Sequence, residues 1–487
     1  MPLTLRDGTL DLPVLASAQH SHSGGTAMKR RDFLHLAVGA ASVGASRPML
    51  AAKPQQTGPI GANNRIRSAL IGAGGRGSAV ARDWQLNPET VFAATCDVDK
   101  TRTANSVSTL AGRQDGAKVD GYEDYRRILE RNDVDAVLIG TPDHWHSPMV
   151  IDAISAGKDV FCEKPVSNTV EAAIRMRDAA RRGNRIIQIG TQQRSWVHFM
   201  DAAKLFHDGA IGTTVRHVVM HPPGGGGGAG APPADQRTAA QLPAEAIPEG
   251  FNWELYQGPA ARKPFLAARR NWRGWYAYGG GGITDWGVHL LDIMAWFMKL
   301  DGKAPNLTSA SAQYVNQIKD PERTPNTYAI TWQFDNFIAT MSNAVIPGVE
   351  HPEENYGNWF YGNSGVMLVN RLGYDIRPLG AGRGGGRGGG GRGAGRGGNA
   401  PAAPAAPPQS PIEGKRVWDL NGRSEAAGTP FANATRDHVK NFLDCVRSRQ
   451  KPVCDMEAGF AASLPALLAN LSIQQERLVK WDGNRAV

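Results

Sequence analysis

The chain has 487 residues, of which 41% are hydrophobic and 20% are charged, and this predicts a globular protein of two or three domains with a sizeable core. Its four cysteines show no metal-type spacing, and a chain of this length excludes a scaffold that depends on disulfides. The formal net charge of +9 comes in part from arginines in one glycine-rich tract, so charge alone is weak evidence for nucleic acid binding.

The N-terminal segment predicts export. A basic start at Lys29-Arg30-Arg31, a short apolar stretch at 36–43 and small residues ending at Ala52 form a signal peptide over residues 28–52. The arginine pair resembles a twin-arginine signal, so we expect the export machinery as a partner, cleavage near Ala52 and a periplasmic or secreted protein. Residues 1–27 are then an upstream extension before a true start at Met28, and a disordered basic N-terminus is the alternative. No apolar run approaches the roughly 18 residues that span a bilayer, so we expect no stable membrane insertion.

Residues 62–189 predict a first domain in which strands alternate with helices. The predicted strands are 66–71, 91–96, 135–139, 159–162 and 185–189, and the predicted helices are 77–86, 122–131, 148–156 and 170–182. This alternation is typical of a parallel, doubly wound α/β sheet of the Rossmann type, with right-handed crossovers.

Residues 190–487 predict an α+β domain with a mostly antiparallel, open sheet, whose exposed face would favour a homo-oligomer. The predicted strands are 211–220, 307–314, 328–334 and 337–342, and the predicted helices are 284–300, 435–449 and 457–478. The Gly/Arg and Ala/Pro repeats at 379–410 predict a disordered insertion. RNA binding by this tract is an alternative, but it lacks interleaved aromatic residues for base stacking, and we expect no nucleic acid partner.

A glycine motif at the end of the first predicted strand indicates a dinucleotide site. Gly72, Gly74 and Gly77 form G-x-G-x-x-G between a strand and a helix, where glycine permits a tight turn and close approach of a pyrophosphate. The phosphates would lie at the positive end of the helix. Asp97 ends the second strand, where a carboxylate binds both ribose hydroxyls and disfavours a 2′-phosphate. NAD is therefore favoured over NADP, although the nearby Arg76 leaves NADP open.

Three further motifs belong to the first domain: Thr141-Pro142-Asp143-His144-Trp145-His146, Ala156-Gly157-Lys158 and Glu163-Lys164-Pro165. Together with the glycine motif they resemble the glucose–fructose oxidoreductase / inositol dehydrogenase family (Gfo/Idh/MocA), over about Ile66 to Asp482. The loop at 222–250 and the insertion at 379–410 depart from a minimal member of that family.

The resemblance implies roles for several of these residues. Thr141, Pro142, His146 and Glu163 would lie beside the cofactor, and Lys164 beside both the cofactor and the reactive carbinol. An ammonium there would stabilise developing alkoxide charge. A cis peptide bond before Pro165 would fix the turn that aims Lys164.

A second cluster follows the glycine run at 279–282. Asp285, His289 and Asp292 fall at i, i+4 and i+7 of one predicted helix that Thr284 would cap, and therefore on one face. A solvated helix face is the simplest interpretation of this spacing. The D-x-x-x-H spacing also matches the catalytic pair of the family, which makes Asp285 and His289 catalytic candidates beside Lys164.

Other residues are weaker candidates. Gln192 and Arg194 follow the last strand of the first domain, and with Trp272, Tyr276 and Asp292 they are tentative substrate ligands, although aromatic residues more often belong to the core. His144 and His146 also invite a metal site, but no third ligand is evident nearby, so we predict no metal.

The leading hypothesis is an NAD(P)-dependent oxidoreductase that takes hydride from a carbinol carbon of a carbohydrate or polyol, with the cofactor tightly held. In the mechanism implied by the resemblance, His289 accepts the hydroxyl proton, although the pattern leaves open whether Lys164 is the base. A glycoside-cleaving enzyme that uses transient oxidation and elimination is the first alternative. A non-catalytic nucleotide-binding protein is the second.

Overall fold

The computed structural model describes residues 64–223, 237–343, 356–379, 415–418 and 434–487. The predicted upstream extension, the predicted signal peptide and residues 380–410 of the predicted insertion lie outside the described residues.

The first domain is a six-stranded parallel sheet with strand order β3-β2-β1-β4-β5-β6. Its strands are β1 (Ile66–Ile71), β2 (Thr90–Cys96), β3 (Asp120–Tyr122), β4 (Ala136–Ile139), β5 (Asp159–Cys162) and β6 (Ile187–Ile189), and its helices are α1 (Gly75–Trp84), α2 (Lys100–Gly112), α3 (Arg126–Leu129), α4 (Asp143–Ser155) and α5 (Val170–Arg182). The central strands are apolar and buried because helices cover both faces of the sheet. The predicted Rossmann-type fold is confirmed.

Three elements of this domain differ from the prediction. The polar helix α2, capped by Asp99, was not predicted, because only Ser106 and Leu110 of it are buried. Tyr122 ends the edge strand β3 instead of opening a helix, and α3 is a single short turn. Helix α4 begins at Asp143, five residues before the predicted start, and contains Pro148 within it.

The second domain is built on a nine-stranded sheet of order β14-β13-β12-β11-β7-β10-β9-β8-β15. Its strands are β7 (Val215–His221), β8 (Leu307–Gln313), β9 (Thr327–Gln333), β10 (Ile338–Ser342), β11 (Gly357–Gly362), β12 (Gly365–Asn370), β13 (Gly373–Pro378), β14 (Lys415–Trp418) and β15 (Val479–Lys480), and its helices are α6 (Val197–His207), α7 (Trp253–Gln257), α8 (Gly281–Asp285), α9 (Gly287–Phe297), α10 (Ala434–Ser448) and α11 (Met456–Gln475). Neighbouring strands are antiparallel except β7 and β10, which confirms the mostly antiparallel sheet. Helices α6 and α7 and strands β11 to β15 were not predicted.

The two C-terminal helices pack against the first domain as well as the second. Val439, Phe442 and Leu443 of α10 lie in the same apolar cluster as Trp84. Residues of α11 contribute to the clusters of both sheets. Helix α11 is also long and apolar enough by composition to cross a membrane, contrary to the prediction that no such run exists, but 83% of its apolar window is buried inside the protein.

The helix predicted at 284–300 is two helices in the structure. Helix α8 ends at Asp285 and α9 begins at Gly287, with Trp286 between them. Thr284 lies inside α8, where its hydroxyl donates to Gly281 O at 3.3 Å, so it does not cap the helix that follows. Asp285 and His289 are therefore on successive helices and do not share one regular helix face.

Candidate functional site

The loop between β1 and α1 forms a cradle that only glycine permits. Gly72 has a φ of +90°, and a Cβ there would lie 2.8 Å from the backbone of Gly140. A Cβ on Gly77 would lie 2.1 Å from Gly72 O, so this residue allows the helix to pack against the turn. Gly74 precedes α1 without a capping side chain, which leaves the first amides of the helix available to an anion. The cradle therefore fits a pyrophosphate.

Asp97 follows β2 beside this cradle. Its carboxylate accepts hydrogen bonds from Ala73 N at 2.9 Å and Asp99 N at 3.0 Å. Burial raises the pKa of Asp97, while these backbone donors and Arg102 oppose the shift. The contact with Ala73 fixes the carboxylate against the glycine loop, in the position that the fingerprint requires of a ribose ligand.

A cavity of about 410 Å³ runs from Asp97 past the glycine loop to the second domain. Eight of the ten predicted cofactor residues line it: Gly72, Gly74, Arg76, Asp97, Thr141, Pro142, Glu163 and Lys164. Gly77 lies behind the loop, and His146 is buried with Nδ1 2.6 Å from Pro165 O and Nε2 2.9 Å from Thr141 O. His146 thus connects two loops of the site, and its predicted position beside the cofactor stays a prediction.

Glu163 joins the glycine loop to the loop after β5. Its Oε1 accepts from Arg76 Nε at 2.8 Å, and Glu163 itself is buried. A Cβ on Gly190 would lie 2.9 Å from the Glu163 carboxylate, so glycine at the end of β6 makes room for this ion pair. The residue next to Glu163 is Lys164, and the peptide between Lys164 and Pro165 is cis, as the sequence suggested.

Lys164 meets Asp285 at the end of the cavity. Lys164 Nζ donates to Asp285 Oδ1 at 2.8 Å and to the backbone oxygen of Asp285 at 2.7 Å. Arg273 approaches the other carboxylate oxygen, Oδ2, at 3.2 Å from its Nε. Burial acts to raise the pKa of Asp285, but the charges of Lys164 and Arg273 outweigh it and lower that pKa. Asp285 is therefore an anion shared by two cations.

His289 lies in the first turn of α9, four residues after Asp285, and is buried. Its Nδ1 has no hydrogen-bond partner among the described residues. Burial, followed by the positive charges of Lys164, Arg371 and Arg76, lowers the pKa of His289 well below its usual value. The imidazole is therefore neutral at physiological pH, and its surroundings make it a weaker base than an exposed imidazole.

The five predicted substrate residues differ in where the structure places them. Trp272 lines the cavity. Gln192 is buried with its Oε1 unpartnered among the described residues, and Tyr276 lies outside the cavity lining, so their substrate contacts stay predictions. Arg194 Nε pairs with Asp292 Oδ1 at 2.8 Å, and both side chains are buried away from the cavity. This ion pair gives Arg194 and Asp292 a structural role, and their predicted contact with substrate stays a prediction.

The two histidines that suggested a metal site, His144 and His146, lie against backbone oxygens. His144 Nε2 lies 2.9 Å from Tyr256 O, and both ring nitrogens of His146 face backbone oxygens. Within the described residues, no group of three or more potential metal ligands is found.

One side of the cavity is formed by a segment of which the sequence predicted only Trp272 and Tyr276 as site residues. Residues 250–278, here called the strap, cross from the second domain to the Rossmann edge and contribute Phe251, Leu255, Tyr256, Arg270, Trp272 and Arg273 to the lining. The strap is fastened by Asn252 N to Val98 O at 2.9 Å, by Arg270 to Asp99 at 2.9 Å and by Trp145 Nε1 to Tyr256 O at 3.0 Å. The only signal in the sequence was the aromatic run beside the glycines at 279–282.

Two family models match the chain. Residues 66–191 match "Oxidoreductase family, NAD-binding Rossmann fold", and residues 236–336 match "Oxidoreductase family, C-terminal alpha/beta domain". These models carry the name GFO_IDH_MocA, so the family predicted from the motifs is supported and the NAD-binding character of the first domain is confirmed.

Relatives in sequence match about a third of the chain. A glycosyl hydrolase family 109 protein of Saccharopolyspora erythraea is 31% identical over 175 residues, which are 35% of this chain and 38% of the relative. Inositol 2-dehydrogenase 4 of the same organism is 30% identical over 161 residues, which are 33% of this chain and 45% of the relative. The chain therefore covers less than half the length of either relative.

Solved structures share the fold over a larger part. A levoglucosan dehydrogenase in complex with NADH and levoglucosan superposes with a TM-score of 0.57 at 17% identity, over 85% of this chain and 99% of the other. An NAD-binding protein from Listeria innocua gives a TM-score of 0.54 at 21% identity, over 86% of this chain and all of the other. These likenesses show the two-domain fold.

Proposed function

The matches over residues 66–191 and 236–336 support membership of the Gfo/Idh/MocA oxidoreductase family, and from this premise we propose that the chain is an NAD-dependent sugar or polyol dehydrogenase. The observation that carries the proposal is the Lys164–Asp285 pair, which opens onto the same cavity as the glycine cradle. With a dinucleotide bound in that cradle, the Lys164 ammonium would be close to a substrate that lies next to the nicotinamide. A nicotinamide cofactor, when bound, supplies the hydride acceptor.

In this proposal, Lys164, His289 and Asp285 have separate roles toward the substrate oxygen. Two N–H groups of Lys164 are directed at Asp285, which leaves the third for the oxygen of the carbinol that is oxidised. That hydrogen bond strengthens as negative charge develops on the oxygen. His289, held neutral by burial, accepts the hydroxyl proton. Asp285 orients Lys164 through the two hydrogen bonds that it accepts.

Two buried polar atoms of predicted site residues favour a polyhydroxylated substrate, although neither residue belongs to the cavity lining. His289 Nδ1 and Gln192 Oε1 are buried and lack partners among the described residues. A buried polar atom without a partner carries a desolvation cost that a bound hydroxyl group removes. The curated relatives named inositol 2-dehydrogenase agree with this substrate class.

The test combines nucleotide identification with a substrate screen. Mass spectrometry of the denatured, purified protein is expected to find NAD, because Asp97 faces the ribose position. Sugars and polyols are then screened for absorbance of the reduced nicotinamide. A protein that neither contains nor binds a nicotinamide nucleotide would overturn the proposal.

A tightly held cofactor is the second part of the proposal. The strap covers one side of the cavity and is bonded to the Rossmann edge at 2.9–3.0 Å by backbone and side-chain groups. Release of a nucleotide would require these bonds to open, so slow release is expected. Retention of bound nucleotide through extended dialysis supports this part, and rapid loss contradicts it.

Glycoside cleavage is a second candidate, favoured by the relatives named glycosyl hydrolase family 109 protein. In that reaction, transient oxidation of one carbon would acidify the neighbouring C–H and elimination would expel the glycosidic oxygen as an alcohol. Addition of water to the double bond and return of the hydride to the carbonyl would then leave the cofactor unchanged. Release of an aglycone from a chromogenic glycoside without net reduced nicotinamide would favour cleavage. Net reduction with a free sugar would favour dehydrogenation.

Export by the twin-arginine route and self-association are further proposals. The first rests on the pattern of residues 28–52, and N-terminal sequencing of the secreted protein tests it through cleavage near Ala52. The second rests on the open nine-stranded sheet, and light scattering of the pure protein tests it through a mass above that of one chain.

A further inference from the structure

Arg273 is a charged residue of the site that no motif marks. It lies in a short 3₁₀ turn, Trp272–Gly274, four residues before the glycine run, and it lines the cavity together with Lys164 and Asp285. Its guanidinium carbon lies 4.3 Å from the centroid of the Trp272 ring, a cation–π contact that limits where the side chain can point. Its Nε is 3.2 Å from Asp285 Oδ2, which is an ion-pair contact without hydrogen-bond geometry.

The two oxygens of Asp285 are thereby divided between two cations. Oδ1 accepts from Lys164 at 2.8 Å, while Oδ2 faces Arg273. A carboxylate held at one oxygen only is free to rotate about its terminal torsion, since such sp³–sp² torsions are broad. With Arg273 at the second oxygen, rotation of the carboxylate is opposed and Oδ1 stays directed at Lys164.

We propose that Arg273 is a positioning residue of this active site, which fixes the Asp285 carboxylate so that Asp285 holds Lys164 toward the substrate oxygen. The inference rests on the proposed function, because the substrate oxygen enters only with it. Arg273 acts through Asp285, and Asp285 acts on Lys164. The charged group that Arg273 contacts is thus the Asp285 carboxylate.

The surroundings of Asp285 specify what losing Arg273 would change. The charged and titratable groups that act on or respond to Asp285 are Lys164, Arg273, Asp143 and Tyr328. Burial raises the pKa of Asp143 well above its usual value, and burial likewise raises the pKa of Tyr328. Lys164 and Arg273 are therefore the charges that keep Asp285 ionised. Without Arg273 the pKa of Asp285 rises, because half of the opposing charge is gone.

The first experiment compares R273A, R273K and the wild type by pH-dependent kinetics with the substrate found in the screen. In R273A we expect kcat to fall about 10²-fold, with a much smaller change in KM, since a misaimed lysine affects the reacting geometry. The acid limb of the pH profile is expected to move to higher pH, because Asp285 protonates earlier. R273K restores the charge and is expected to bring the acid limb back. An unchanged acid limb, or a loss confined to KM, would overturn the proposal.

The second experiment needs no substrate. A double-mutant cycle measures denaturant unfolding of the wild type, R273A, D285N and R273A/D285N, each loaded with nucleotide. We expect R273A to destabilise the wild type more than it destabilises D285N. Equal shifts in both backgrounds would show that Arg273 does not act through Asp285 and would overturn the proposal.

The matched control is Arg485, whose Nε lies 3.1 Å from Asp482 Oδ2 on the surface, with its side chain 77% exposed. R485A is expected to leave kinetics and pH profile unchanged and to shift unfolding equally in the presence and absence of D285N. If no sugar or polyol is oxidised but the cycle shows coupling, the proposed function fails while the hold of Arg273 on Asp285 stands. If turnover is found and the cycle shows no coupling, the reverse holds.

Discussion

Two ion pairs connect the end of the Rossmann sheet to helices α8 and α9, and they differ in their surroundings. Lys164 and Asp285 lie 2.8 Å apart, with side chains 11% and 12% exposed, and both line the cavity. Arg194 and Asp292 also lie 2.8 Å apart, but they are 5% and 0% exposed and lie away from the cavity lining. The same type of ion pair thus has a proposed catalytic role where it lines the cavity, and a structural role where it is enclosed.

The buried pair gives the largest expected effect. We expect D292A to destabilise the protein by about 3–5 kcal/mol, because it leaves the Arg194 guanidinium buried without its carboxylate. Denaturant unfolding measures this, and the fraction that remains folded should keep its kcat within a few-fold. The double variant R194L/D292L removes both charges and is expected to regain much of the loss. A D292A protein of normal stability but without turnover would reverse the comparison.

The open pair gives the next effect. We expect K164A to lose about 10²–10³-fold in kcat, since the donor to the developing alkoxide is removed. Its stability should fall by less than that of D292A, because Arg273 remains beside the Asp285 carboxylate when Lys164 is removed. Steady-state kinetics and thermal melting measure the two outcomes. The matched control is K319A, which removes an exposed lysine paired with Glu476 and should alter neither turnover nor stability. Lys158 does not offer a matched control, because it is buried and donates to two backbone oxygens. Near-normal turnover of K164A would remove the catalytic account.

The sequence predicted one of these pairs better than the other for a physical reason. The motif around Lys164 is local, and so is the glycine loop, because each is a short turn at a strand end whose geometry its own residues determine. Asp285 and Asp292 are seven residues apart and looked equivalent on one helix face. The irregular step at Trp286 separates them, and only packing of α9 against the turn that holds Arg194 decides which acid is enclosed.

The strap was missed for a related reason. Its contacts, such as Arg270 with Asp99 and Asn252 with Val98, join residues more than 150 positions apart and leave no periodic pattern. Helix α2 and strands β11 to β13 were missed because their sequences are polar, short or rich in glycine. The fold class and the cofactor cradle followed from periodicity and turn chemistry, whereas the second wall of the site did not.

His289 lies between the two acids in sequence and sharpens the comparison. We expect H289Q to lower kcat about 10²-fold, the scale of a lost general base, with little change in stability because its Nδ1 bonds to none of the described residues. Since burial lowers the pKa of His289 well below 6.5, the wild-type kcat/KM should stay level as the pH falls from neutrality through 6.5. An acid limb at the ordinary pKa of imidazole would contradict the neutral, buried histidine.

The smallest expected effect is the contribution of Asp285 to stability as a function of pH. The pKa of Asp285 is lowered below 3.8, because Lys164 and Arg273 outweigh burial, so the folded protein holds this proton less tightly than the unfolded chain. The stabilisation is therefore complete above pH 3.8 and is lost as the pH falls through the folded pKa. The difference in unfolding free energy between wild type and D285N should be largest near neutrality and should shrink on acidification. D208N, which removes the acid of an exposed pair with Lys204, is expected to give a small difference at every pH. A wild-type advantage over D285N that grew in acid would mean that burial governs Asp285, as it would for an acid enclosed without its cations, and the distinction between the open and the buried pair would not hold.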